Sequence, residues 1–318
     1  MFRMFAAAAA LLAGVAAAHA QDWPARQSIK VVVPFTAGSG TDIVARAVFD
    51  KVSRQINQSV YVENRGGAGT TLGSAQVSKA PPDGYTVLVN STSHVVVAST
   101  YANLSYHPVD DFTPLAPLAD LPFVLAAPSK YATLRDFVAA AKAKPGAMNY
   151  GSAGAGSSGQ LFVERFRIAA GFEAPHVPFR GTPEALTEIM ADRLDLFPAP
   201  AAAVVALAQD RKLAALAVSS SKRLAALPDA PTTVEAGFPG SSYNFWIGAF
   251  LPPRTPDAIV QRLSAEIKTA LADPDVAGKI VALGGEAMWM GPAEFAAFAR
   301  EELKVNADIV KASGYKPQ

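Results

Sequence analysis

The stretch Val31-Val32-Val33-Pro34-Phe35-Thr36-Ala37-Gly38-Ser39-Gly40-Thr41-Asp42 decides the architecture of this chain. A β-branched run breaks into glycines and then enters a helical pattern from Ile43, so a buried strand over 29–34 leads through a loop into a helix over 42–56. A second strand over 60–63, a second helix over 73–79, a turn at Asp83-Gly84 and a third strand over 85–90 continue the alternation. Alternating strands and helices of this kind predict a parallel sheet with helices on its faces. Ser91-Thr92-Ser93-His94 then falls at the carboxyl end of the third strand, where ligands of open α/β sheets collect.

A related stretch opens a second unit: Tyr150-Gly151-Ser152-Ala153-Gly154-Ala155-Gly156-Ser157-Ser158-Gly159, ahead of an amphipathic run over 160–170. Before it, 121–125 reads as an apolar crossing between lobes, Thr133 caps a helix over 134–143, and 148–152 is a strand. After it, His176-Val177-Pro178-Phe179-Arg180-Gly181-Thr182 is another strand end followed by a helix with Pro183 at its first position, and 213–219 is a further buried strand. The segment 245–251 crosses back. The tail carries helices opened by Thr255-Pro256, Asp273-Pro274 and Gly291-Pro292, with an apolar stripe at Phe295, Phe298, Val305 and Ile309. Two crossings imply two lobes, expected over 21–122 with 248–318 and over 123–247. Each loop offers backbone N–H groups and hydroxyls at a helix start, where unpaired amides and the helix dipole attract an anion. Two such mouths facing each other would hold a ligand with two anionic ends, a small mono- or dicarboxylate being the class expected.

The chain has 318 residues, a net charge of +1, 50% hydrophobic residues and no cysteine. Arg3, an apolar core over 5–18 and Ala18-His19-Ala20 read as an export signal over 1–20, cleaved near Ala20. The apolar run is shorter than the roughly 20 residues a bilayer needs. A periplasmic protein is therefore expected, held together by burial without disulfides. Scattered Lys and Arg leave no concentrated basic face, so no nucleic-acid partner is expected.

Three chemistries compete for the glycine loops. Gly154-Ala155-Gly156-Ser157-Ser158-Gly159 matches the dinucleotide pattern, with Glu173 at ribose-binding distance, but the residues before it, Ala147-Met148-Asn149-Tyr150, make a poor buried strand. Ala155-Gly156-Ser157-Ser158-Gly159 falls one residue short of a nucleophile elbow, and His176 is the only histidine after Ser157, so a secreted serine hydrolase using Ser157 is the main enzymatic alternative. The histidines are too widely spaced for a metal site. Neither cofactor nor metal is expected. Asp42 is read as a cap on the helix from Ile43, and Arg180 as a surface arginine or a charge at the cleft rim.

Several spaced motifs, in order, carry a family resemblance: Val32-Val33-Pro34-Phe35 with its glycine loop and Thr41-Asp42-x-x-Ala45-Arg46, Val62-Glu63-Asn64-Arg65-Gly66-Gly67-Ala68-Gly69, Pro82-Asp83-Gly84-Tyr85-Thr86, Val177-Pro178-Phe179-Arg180-Gly181 and Leu227-Pro228-x-x-Pro231-Thr232-x-x-Glu235-Ala236-Gly237. Together they resemble the Bug family, the extracytoplasmic solute-binding receptors of tripartite tricarboxylate transporters. The resemblance implies a Venus-flytrap α/β fold, each lobe a mainly parallel sheet flanked by helices, with no enzymatic activity and with membrane permease subunits as partners of a monomer. A ligand-sensing role on a receptor kinase is a further alternative. Carried onto this chain, the ligand site would comprise Thr36, Ala37, Gly38, Ser39, Gly40 and Thr41 with Ser91, Thr92 and Ser93 in one lobe. In the other it would comprise Ser152, Ala153, Gly154, Ser157 and Ser158 with Phe179, Arg180, Gly181 and Thr182. Gln160 stands where the family usually has histidine, and Ala199 where it often has aspartate. The alanine implies that plain or aromatic carboxylates bind better than amino acids, against an apolar wall near Phe179 and Phe197.

Overall fold

The computed structural model describes residues 23–179, 181–243 and 245–317, so the expected export signal and Arg180 lie outside the described residues. The first unit runs β1 (Ile29–Val33), α1 (Gly40–Ile56), β2 (Val60–Asn64), α2 (Thr71–Ser78), β3 (Thr86–Ser91), α3 (Ser93–Thr100) and β4 (Thr113–Asp120). The second runs β5 (Phe123–Ala127), α4 (Leu134–Ala143), β6 (Tyr150–Ser152), α5 (Ser158–Ala170), β7 (His176–Pro178), α6 (Thr182–Met190), β8 (Phe197–Pro200), α7 (Ala201–Gln209) and β9 (Ala214–Val218). The chain then returns through β10 (Trp246–Leu251), α8 (Asp257–Leu271), α9 (Pro274–Ala282), β11 (Glu286–Ala287) and α10 (Pro292–Ser313).

A six-stranded sheet in the order β11-β4-β10-β3-β1-β2 forms the first unit. β1 is buried at every residue but Lys30 because helices cover both faces of the sheet. Val31 and Val33 join a core with α1, α8 and α9, while Val32 points into a second core with Val95, Val97 and Phe295. In the second unit β8-β5-β9 form one sheet and β6-β7 another, and the pair is joined to it by the bridge from Tyr150 to Leu196. α4 and α5 pack on one face; α6 and α7 pack on the other.

The strand senses are mixed where mainly parallel sheets were expected. β1 pairs in parallel with β2 and β3, and β6 with β7, as the βαβ reading requires. β10, arriving from the second unit, runs antiparallel to both β3 and β4, and β5 runs antiparallel to β8 and β9. Strands that link the units enter each sheet from its ligand-facing end, so their direction opposes that of the βαβ strands beside them. α10 packs against α3 of the first unit and α5 of the second. Its Glu302 and Asn306 accept hydrogen bonds from Trp246 Nε1 and the Tyr243 hydroxyl, both 3.0 Å. No helix among the described residues is long and apolar enough to cross a membrane.

Candidate functional site

Both glycine loops are held by the same local device. In the first, Ser39 caps α1 by accepting from the Asp42 amide at 3.3 Å, and Asp42 reaches back to accept from the Gly38 amide at 2.9 Å. In the second, Ser157 caps α5 by accepting from the Gln160 amide at 3.4 Å, and Gln160 Oε1 accepts from the Gly156 amide at 2.7 Å. Each is a capping box whose second member grips the amide one residue before the cap. Gly38 and Gly156 hold φ of +80° and +71°, a left-handed backbone that glycine adopts without steric penalty. The reach-back consumes one amide per loop. It leaves the first-turn amides of Gly40 and Thr41, and of Ser158 and Gly159, without intrahelical acceptors.

Asp42 does more than cap. Its carboxylate also accepts from Arg46 Nε at 3.0 Å and from Asn64 Nδ2 at 2.8 Å, and Asn64 donates in turn to the Phe35 carbonyl at 3.1 Å. Burial by itself would raise its pKa, but the bonds from Arg46, the Gly38 amide and Asn64 outweigh it and hold the group below its ordinary value. The whole loop from Phe35 to Asp42 is thereby fixed to β2.

The two helix starts open onto one cavity of about 780 Å³ between the units. Thr36, Ala37, Gly38, Ser39, Gly40 and Thr41 line it from the first unit, with Ser93 at the start of α3. Ala153, Ser157, Ser158, Gly181 and Thr182 line it from the second. The units meet where Ser93 Oγ lies 3.0 Å from Ser158 Oγ, a buried hydroxyl pair joining the starts of α3 and α5. No charged side chain among the described residues lines the cavity.

Other residues expected at the site stand behind the wall. Ser91 and Thr92 are fully buried: Ser91 Oγ accepts from the Ser93 amide, and Thr92 Oγ1 accepts from the Trp246 amide. Ser152 is also fully buried; it donates to the Gly154 carbonyl at 2.7 Å, and its hydroxyl oxygen lies 2.7 Å from His176 Nε2. With the serine proton given to Gly154, the ring nitrogen is the donor in that pair. Phe179 packs instead on the core beneath α6, beside Gly151. Ala199 and Phe197 are fully buried on the core face of β8, whereas Pro198 and Pro200 face the cavity, so the expected wall of Phe179 and Phe197 does not line it. The strand alternates faces at every residue, and its register cannot be read from a four-residue segment with two prolines. His94, read at a strand end, lies in the core against Phe112 and Phe250, where burial lowers its pKa to about 3.

Lining residues that the sequence did not single out are apolar. Leu121, Phe123 and Phe245 come from the two crossings. Pro183, Leu186 and Met190 present one face of α6, and Ala203 and Leu207 one face of α7. Their helical spacing was visible in the sequence, but which apolar face meets a core and which a cavity was not.

Among the described residues, Ser157 and His176 are not bonded to each other. Ser157 is occupied as a helix cap, and His176 is bonded to the fully buried Ser152. The described lining residues present amides and hydroxyls at two helix starts and no charged side chain, an arrangement suited to holding an anion. The model of the tripartite tricarboxylate transporter family receptor matches residues 44–315. The chain belongs to this receptor family. A relative from Pseudomonas sp., a UPF0065 protein in the tcbD-tcbE intergenic region, is 39% identical over 256 residues, covering 80% of this chain and 76% of its own. Among solved structures, Rhodopseudomonas palustris Rpa4515 with adipate superposes with a TM-score of 0.85 at 29% identity, covering 93% of this chain and 100% of the other. MatC from the same organism with bound malate gives 0.80 at 31% identity, over 90% and 99% of the two chains. As a receptor of this family the chain is a solute-binding protein, with a two-domain α/β fold. Its Gln160 secures the Gly156 amide with a neutral acceptor.

Proposed function

We propose that this receptor works in the periplasm, where lobes 21–122 with 248–318 and 123–247 close on one carboxylate and deliver it to membrane permease subunits. The observation that carries this reading is the convergence of the α1 and α5 starts, with their unpaired first-turn amides, on a shared cavity that holds no charged side chain among the described residues. A carboxylate there meets N–H donors and the hydroxyls of Ser39, Thr41, Ser93 and Ser158 from both lobes, which neutral groups supply without a counter-charge to displace. Malate and adipate, present in the two solved relatives, fit the same chemistry.

A thermal-shift panel of organic acids tests it. A ligand at a hundredfold above its Kd adds about 2.7 kcal/mol, which for domains of this size raises Tm by roughly 5 to 10 °C. A panel in which no carboxylate raises Tm, while an activated ester is turned over, would overturn the reading. Glutamate and aspartate should trail the plain acids, because an enclosed ammonium finds no acidic partner among the described lining residues and costs on the order of several kcal/mol.

A further inference from the structure

Apart from the helix starts, the cavity is lined by an apolar wall of the second unit, its apolar arm. Its walls are Pro183, Leu186 and Met190 from α6, and Ala203 and Leu207 from α7, with Pro200 at the end of β8. Residues 183, 186 and 190 recur at helical spacing, as do 203 and 207, so each helix turns a continuous stripe toward the space. Leu186 is buried, and Met190 is 42% exposed. A soluble protein has no packing reason to leave such a stripe facing an opening, and here it is continuous with an anion-binding end. The cavity volume of about 780 Å³ is that of a site enclosing a drug-sized molecule, ~300–1,000 Å³. A four- to six-carbon diacid leaves much of it empty. A second carboxylate placed in the arm would lose its hydration with no cationic side chain among the described lining residues to replace it.

We propose that the natural ligand is a monocarboxylate with an extended hydrocarbon body of more than six carbons. Its carboxylate sits at the α1 and α5 starts, and its body lies in the arm between α6 and α7. This assignment rests on the carboxylate-capture reading and adds the ligand's size and polarity. Met190 and Leu207 are its specificity-determining side chains: flexible, partly accessible apolar groups able to conform to a methylene chain or an aryl ring.

Titration calorimetry on the mature chain with butyrate, hexanoate, octanoate, suberate and adipate tests the proposal. Each methylene buried in the arm should tighten Kd about fourfold, the equivalent of about 0.8 kcal/mol per buried CH₂. Octanoate should bind at least tenfold tighter than suberate, which has the same carbon count and a second charge. Met190→Gln and Leu207→Gln, at positions open enough to accept an amide, should flatten the dependence on chain length, with circular dichroism verifying the fold. Binding that gains nothing beyond butyrate, or that favours suberate over octanoate, overturns the arm assignment while the capture reading stands. An absence of binding by every acid of the series overturns both.

Discussion

At the residue scale, the site depends on side chains that do not touch the cavity. Asp42 and Gln160 each grip one loop amide, and both were weighed in the sequence for other reasons: the aspartate as a plain cap, the glutamine as a departure from a family pattern. Their actual partners, Gly38 and Gly156, lie one residue before the cap and became visible only with the loop's path. His176 offers a test at this scale. Burial lowers its pKa from 6.5 to about 4, with the Glu164 carboxylate opposing the shift. An unfolded histidine therefore takes up a proton between pH 6.5 and 4 that the folded one refuses. Stability is complete above pH 6.5 and falls as pH drops through that window. Relative to His176→Gln, the parent chain should lose about 1–2 kcal/mol between pH 7 and 4.5, allowing for solvent screening. Urea melts at the two pH values measure it, and parallel curves for the two proteins would refute the assignment.

At the element scale, long amphipathic helices with caps were legible, and short or β-rich ones were not. α4 begins at its expected Thr133 cap, α9 and α10 begin at Pro274 and Pro292, and α6 begins at Thr182, one residue before Pro183. α3, Ser93-His94-Val95-Val96-Val97-Ala98-Ser99-Thr100, has no counterpart in the sequence reading, which placed only Ser91 to His94 at a strand end, and its β-branched run disfavours helix. Burial of Val95, Val96 and Val97 in two cores overrides that preference. β8, with two prolines in four residues, is tolerated as an edge of the three-stranded sheet. The repeated cap predicts symmetric costs: Ser39→Ala and Ser157→Ala should each lower stability by about 1 kcal/mol. Each should also weaken carboxylate binding, since the cap holds in place the helix start whose Gly40 and Thr41, or Ser158 and Gly159, line the cavity. Denaturant melts with calorimetry check both effects, and a variant that loses neither stability nor affinity would refute the shared role.

At the scale of the whole molecule, the cavity belongs to neither unit alone. Ligand held by both should stabilise the arrangement in which Ser93 meets Ser158, by its differential affinity for that form. α10, anchored to both units through Glu302 and Asn306, keeps the two sheets within reach of each other. Small-angle scattering should therefore show a smaller radius of gyration with saturating ligand than without. Equal radii would mean that the unliganded chain already holds this arrangement.

The sequence by itself determined the two-unit α/β plan, both glycine loops and the helices they open, because capping residues, proline positions and period-two or helical hydrophobic spacing act over a few neighbours. It also determined the chemistry of the mouths, since small residues at a helix start leave amides exposed in any context. The tertiary structure decided the rest. It set the mixed strand senses, which depend on the direction from which β5 and β10 enter their sheets, and it buried Ser91, Thr92 and Ser152 behind the wall while bringing Ser93 and Ser158 together. It also turned the stripes of α6 and α7 toward a cavity instead of a core. Those outcomes turn on contacts between residues far apart in the chain, and a local pattern of apolar and polar residues specifies that a face is buried without specifying what it is buried against.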